Sequence, residues 1–180
     1  TLEKKLNLPV SEDYYIGGLL HDLGKLMIYH YYPEEFKEII QRQVEENISS
    51  EVAEEIVLGV NHADIGEYLA REWQFKSSIV AAIRDHHTML PVSAELSPGH
   101  SVHAAVVRIA NMFAKAAGLC FPWDKRVFNI VEDPCWEILK SHVPGKVDVE
   151  RLTFEIRDEA ENIKASVKEL LSKKKRRLEV

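Results

Sequence analysis

The sequence predicts an all-α fold. Apolar residues recur at steps of three and four along most of the chain. Asn, Ser and Asp stand at helix starts, Pro at first-turn positions and Gly at helix ends. No stretch sustains the period-two alternation of β-branched residues that a half-buried strand needs.

Residues 1–6 read as the end of a helix that stops before Asn7-Leu8-Pro9. Ser11 then caps a helix running to about Tyr31, with Glu12 and Asp13 in its first turn, where negative charge suits the helix dipole. Ile16, Leu19, Leu20, Leu23, Leu26 and Met27 would form its apolar stripe. Pro33 opens a helix carrying Phe36, Ile39, Ile40 and Val44. Ser50 begins a short segment ending near Gly59, and Asn61 caps a helix from His62 to Trp73. Ser77 or Ser78 starts a helix that ends at His86-His87. Ser97 and Pro98 open a long helix with Gly118 as its C-terminal stop. Phe121-Pro122-Trp123 and Asp133-Pro134 then break the chain into short pieces. Asp148 caps a last long helix, whose Val149, Leu152, Ile156, Ala160, Ile163, Val167 and Leu170 make a narrow seam, suited to the body or to a second copy. This pattern divides the chain into a core at 1–118 and a C-terminal extension at 119–180, the core lacking its natural start.

Composition narrows the function classes. An apolar content of 46% and a charged content of 29% are those of a globular protein. No run of eighteen apolar residues offers a bilayer span, and Thr1-Leu2-Glu3-Lys4-Lys5 does not resemble a secretory leader. Two cysteines without a CxxC, Cys120 and Cys135, fit a reducing cytoplasm and read as small buried apolar groups. The formal charge is −6, but Lys173–Arg177 supplies five of the 23 basic residues; the remaining 18 face 29 acidic ones, a balance of −11. Such a body is a poor nucleic-acid surface. The basic run reads as a solvated helix end that complements the dipole.

Chemistry concentrates on the helix 11–31. Opposite its aliphatic stripe lie Gly17, Gly18, His21, Asp22, Gly24 and Lys25. A glycine inside a helix costs about 1 kcal/mol relative to alanine, a cost that close approach of another helix would justify. His21-Asp22 then sits near an interior, where a buried Asp needs a metal, a cation or several donors. His62, His86 and His87 lie at helix ends, from which side chains can converge on one pocket. His with Asp suits Fe, Mn or Zn, ions that activate water and neutralise a phosphoester. The same five residues could instead form a metal-free polar network.

The strings themselves resemble a known family. Gly17-Gly18-Leu19-Leu20-His21-Asp22-Leu23-Gly24-Lys25 is similar to the signature of the HD superfamily of metal-dependent phosphohydrolases. Asn61-His62-Ala63-Asp64-Ile65-Gly66-Glu67-Tyr68-Leu69 resembles the segment that follows it in the HD-GYP and HDOD branches. Trp73 with Ile79–His87 resembles the HDOD segment ending in a double His. The resemblance covers residues 1–118 and implies an HD-domain-like helical bundle with a C-terminal helical extension. It implies metal ligands at His21, Asp22, His62, His86 and His87. The upstream His of the HD-GYP set would precede Thr1, and Asn111 stands where the final Asp is expected. Asn offers a neutral carbonyl in place of a carboxylate. Thr88-Met89-Leu90-Pro91 replaces the GYP loop.

These departures imply a bacterial, cytoplasmic HDOD signalling module with a degenerate metal site and little or no catalysis. The alternative is a phosphohydrolase acting on nucleotide or cyclic dinucleotide phosphoesters, with Asp22 and Lys25 as catalytic residues. Lys25 would contact a phosphate or pair with a carboxylate. Asp64 reads as a helix-start charge, Asp85 as structural and Trp73 as core; His30, His100, His103 and His142 match no motif position. Expected partners are other signalling domains or proteins, a nucleotide ligand and a second copy through the 149–170 helix.

Overall fold

The computed structural model describes residues 2–88, 98–119, 129–143 and 145–178. Its helices are α1 (Leu2–Lys5), α2 (Glu12–Leu20), α3 (Leu23–Tyr31), α4 (Pro33–Glu46), α5 (Ser50–Leu58), α6 (His62–Glu72), α7 (Ser77–Asp85), α8 (Pro98–Ala116), α9 (Pro134–Lys140) and α10 (Val149–Leu178). A 3-10 turn, Ile130–Glu132, precedes α9. The described residues contain no strand. The expectations at Ser97, Met89-Leu90-Pro91, Cys120 and Phe121-Pro122-Trp123 lie outside the described residues.

The helix starts are built by the side chains the sequence offers for them. Ser11 accepts from the Asp13 amide and Ser49 from the Val52 amide. Asn61 accepts from the amides of Ala63 and Asp64, while Asp64 accepts from the Asn61 amide, a reciprocal capping box. Asp64 is therefore a helix-start group. Asp133 and Asp148 cap α9 and α10 through the amides of Cys135 and Arg151. Gly59 and Gly118 follow α5 and α8 with φ of +76° and +69°, the left-handed stop for which glycine is suited.

The helix expected at 11–31 is two helices. The chain turns at His21-Asp22, with Asp22 at φ −98°, ψ 14°, and α3 starts afresh at Leu23. One helical wheel therefore does not carry across the pair, and Leu19 and Leu26 of the expected stripe are 68% and 61% exposed. The cause of the turn is contact. A Cβ on Gly24 would lie 2.0 Å from the His62 carbonyl oxygen, so α3 meets the start of α6 backbone to backbone. Gly17 likewise brings α2 against α7, where a Cβ would lie 2.9 Å from the Ala82 Cβ. Trp73, expected in the core, is 54% exposed; it follows α6 as the chain turns away and meets the Phe75 ring edge-on.

Helix α7 is the central strut. Ile79, Val80, Ala81, Ala82 and Ile83 are all buried, as a helix apolar on every side requires. It is packed by α2, α6 and α8. One apolar cluster joins Ile79, Val80 and Ile83 to Ala70, and a second joins Ile28, Ile39 and Ala53 under α4 and α5. The largest runs from Leu2, Leu6 and Tyr14 through Val106, Ile109 and Phe113 to Trp136, Leu139 and Leu152, so α1, α8, α9 and α10 share one core. Val44 is exposed on the outer face of α4. No described helix is long and apolar enough to cross a membrane.

Candidate metal centre

All five expected ligands sit at helix ends. His21 and Asp22 occupy the break between α2 and α3, His62 is the first residue of α6, and His86-His87 follow the last turn of α7. The close approaches at Gly24 and Gly17 draw these ends together. Asp22, His62, His86 and His87 each place one ligand atom within 4.8 Å of all the others.

The distances inside the cluster are short. His62 Nε2 lies 2.9 Å from His87 Nε2, 3.3 Å from His86 Nε2 and 3.1 Å from Asp22 Oδ1. His86 Nε2 lies 3.6 Å from the same Asp22 oxygen. Donors held about 2.0–2.1 Å from one ion stand roughly 2.9–3.4 Å apart when adjacent, which is the spacing seen here.

The outward nitrogens determine what the inward ones carry. His86 Nδ1 is 2.7 Å from the Ile83 carbonyl and His21 Nδ1 is 2.8 Å from the Gly18 carbonyl. A carbonyl only accepts, so both Nδ1 atoms carry hydrogen and donate. His62 Nδ1 donates to Glu54 Oε2 at 2.5 Å, and the same carboxylate oxygen accepts from the His62 amide at 2.7 Å. In the neutral rings the Nε2 atoms of His21, His62 and His86 then hold lone pairs. Lone pairs facing one another repel unless a cation or a proton lies between them. His21 stands beside the four-residue group: its ring centroid is 4.9 Å from that of His86, and its buried Nε2 has no hydrogen-bond partner among the described residues.

Burial sets the charges. It lowers His21, takes His86 down to about 4 and, with the neighbouring imidazoles, puts His87 well below the usual 6.5. Burial also pushes His62 down, but Asp22 and Glu54 more than offset it and leave His62 above 6.5. Burial raises Asp22, yet His62, His86 and Lys25 hold its carboxyl far below the ordinary range. Within the cluster Asp22 is thus the group held most firmly as an anion, and His62 the ring most ready to take a proton.

Glu54 is a residue of the cluster that the motifs miss. It is buried on α5 and fixes the His62 tautomer, as carboxylates behind metal-binding histidines do. Its signal was present: Ser50, Ala53, Glu54 and Val57 follow the i, i+3, i+4, i+7 rule, so one acid stands in an apolar register. Lys25 Nζ lies 2.8 Å from Asp22 Oδ1, the paired arrangement among its two expected roles. Asp85 forms a two-point ion pair with Arg84.

A pocket of about 520 Å³ opens onto the cluster. His21, Asp22, Lys25 and Glu54 form one wall. Ile39, Ile40 and Phe36 of α4 and Val107, Ala110 and Ala114 of α8 form the apolar remainder. Asn111, at the position where the resemblance implies an Asp, lines this same pocket from α8.

Residues 1–89 match the HDOD domain family. An uncharacterised protein of Treponema pallidum (strain Nichols) is 37% identical over 86 residues, 48% of this chain and 17% of that protein. The crystal structure of an HDOD domain protein with unknown function from Geobacter sulfurreducens resembles this fold with a TM-score of 0.65 and 26% identity. That likeness covers 82% of this chain and 52% of the other. The chain thus spans about a sixth of the first relative and half of the second.

Proposed function

The chain belongs to the HDOD domain family through residues 1–89, and from that premise we propose that it is a regulatory signalling module whose His–Asp cluster holds one Fe, Mn or Zn ion with little or no turnover. Asp22, His62, His86 and His87 are the ligands in this reading, and His21 is the adjoining donor. One observation carries it: outward hydrogen bonds at Nδ1 leave inward lone pairs on His62 and His86 only 3.3 Å apart beside a carboxylate. A transition-metal ion relieves that repulsion and suits N and O donors. Asn111 at the pocket and the short set of carboxylates support a regulatory role over a hydrolytic one. In the same reading residues 119–180 are an extension on a 1–118 core, and the setting is the bacterial cytoplasm.

Metal analysis of protein purified without chelator or nickel column tests this. Near-stoichiometric Fe, Mn or Zn, lost in His86→Ala, supports the centre. Metal-free protein whose melting is unmoved by these ions supports a proton-bridged network held by His62 between Glu54 and Asp22.

The pocket favours a second reading, a phosphohydrolase. A bound ion would supply Lewis-acid chemistry toward a phosphoester. Lys25 at the pocket wall offers positive charge to a phosphate, and Asp22 holds that ammonium in place. Release of phosphate or a nucleoside monophosphate from nucleotides or cyclic dinucleotides, abolished by Asp22→Ala and His21→Ala, would establish it over the regulatory module.

A further inference from the structure

Helix α10 is thirty residues long, and the body covers only its first half. Leu152 and Ala160 are buried and Ile156 is partly so. Lys5 ties Glu155 and Glu159 at 3.0 and 2.9 Å, and Lys164 Nζ donates to the Ala117 carbonyl at 2.8 Å. The same stripe then continues onto solvent. Ile163, Val167 and Leu170 are 54%, 48% and 66% exposed. Apolar residues at i, i+4 and i+7 on one face form a seam that no described residue covers.

Charge along the helix indicates what completes it. Residues 155–161 hold Glu155, Asp158, Glu159 and Glu161 against the single cation Arg157. Residues 164–177 hold seven cations, five of them in Lys173–Arg177, against the single acid Glu169. Two copies laid parallel would set acid on acid and base on base. Laid antiparallel and crossing at Val167, they set 173–177 of each over 157–161 of the other, which attracts and fixes orientation.

We propose that α10 is a homodimerisation helix that pairs antiparallel with α10 of a second copy, the stripe Ile163–Val167–Leu170 forming the contact and the acidic and basic halves setting its direction. A basic helix end beside apolar residues also suits an anionic lipid surface, but such a surface would repel the acidic residues at 155–161.

Sedimentation velocity of the 180-residue chain over a concentration series, with Val167→Glu beside it, tests the proposal. The chain should pass from a 20.6 kDa monomer to a dimer. Val167→Glu should weaken association at least tenfold while keeping the far-UV melting profile, and added salt should weaken it as well. In a Cys120→Ser background, Val167→Cys should cross-link to itself. Arg177→Cys should cross-link only when mixed with Arg157→Cys. A chain monomeric at every concentration overturns the proposal, as does self-cross-linking of Arg177→Cys. Co-sedimentation with anionic vesicles by a chain that stays monomeric overturns it too.

Discussion

Glu54 Oε2 accepts from both the Nδ1–H and the amide N–H of His62. One carboxylate thereby fixes the ring and the backbone of the residue at the centre of the cluster. Glu54→Gln keeps an acceptor but loses the charge, and should weaken Mn or Zn binding about 10–100-fold, the range for supports of this kind. Glu54→Ala leaves a buried N–H unpaired and should also cost about 1–3 kcal/mol of stability. Metal titration followed by fluorescence, together with denaturant melts, separates the two effects. Equal metal affinity in wild type and Glu54→Gln would remove Glu54 from the site.

Gly24 and Gly18 lie six residues apart in one motif yet should respond oppositely to alanine. A Cβ at Gly24 meets the His62 backbone oxygen at 2.0 Å, where no side chain can yield. Gly24→Ala must push α3 off α6 and pull Asp22 from the histidines, at a cost of about 3 kcal/mol or more. Among the described residues nothing lies within 4 Å of a Cβ at Gly18, so Gly18→Ala should leave stability level or raise it by about 1 kcal/mol. Thermal melts of the pair check this, and a neutral Gly24→Ala would contradict the backbone contact.

The all-helical fold was legible because caps and apolar spacing are local signals, and they recur at nearly every boundary from Ser11 to Asp148. What the sequence conceals is contact between elements. The break at His21-Asp22 arises from Gly24 meeting a residue 38 positions later, so periodicity read a single helix and assigned Leu19 and Leu26 to the wrong face. His62, His86 and His87 were legible as motif residues; their tautomers were not, since these depend on Glu54 and on the Ile83 carbonyl. Trp73 reads as core in the sequence, whereas its place past the last turn of α6 leaves it at the surface.

Cys135 should be chemically silent in the folded chain. Burial, with Asp133 beside it, pushes its thiol up to about 12, and the side chain is fully enclosed. In Cys120→Ser, a thiol reagent at pH 8 should therefore react only as fast as the protein unfolds. Immediate stoichiometric labelling of the native variant would show that the α8–α9 core opens readily.

Asp133 and Arg108 make the pH-sensitive joint of that core. Arg108 reaches Asp133 with two nitrogens at 2.8–3.1 Å and donates from its third, at 3.2 Å, to the His86 carbonyl, so the cap of α9 is tied to the end of α7. Burial raises the Asp133 carboxyl, but Arg108 and the Cys135 amide outweigh it and leave it below the usual 3.8. A carboxyl depressed on folding adds stability above its unfolded value, and that stability is lost as pH falls through the folded value. Asp133→Asn strands Arg108 with half its partners and should cost about 3 kcal/mol at pH 7. The gap between wild type and variant should hold from pH 7 to about 5 and shrink steadily below 4, because acid protonates Asp133 and leaves wild type as weak as the variant. Denaturant melts of both proteins from pH 3 to 7 measure it. The histidine cluster titrates in both chains alike and cancels from the difference. A gap that stays constant down to pH 3 would mean that the ion pair contributes through shape alone.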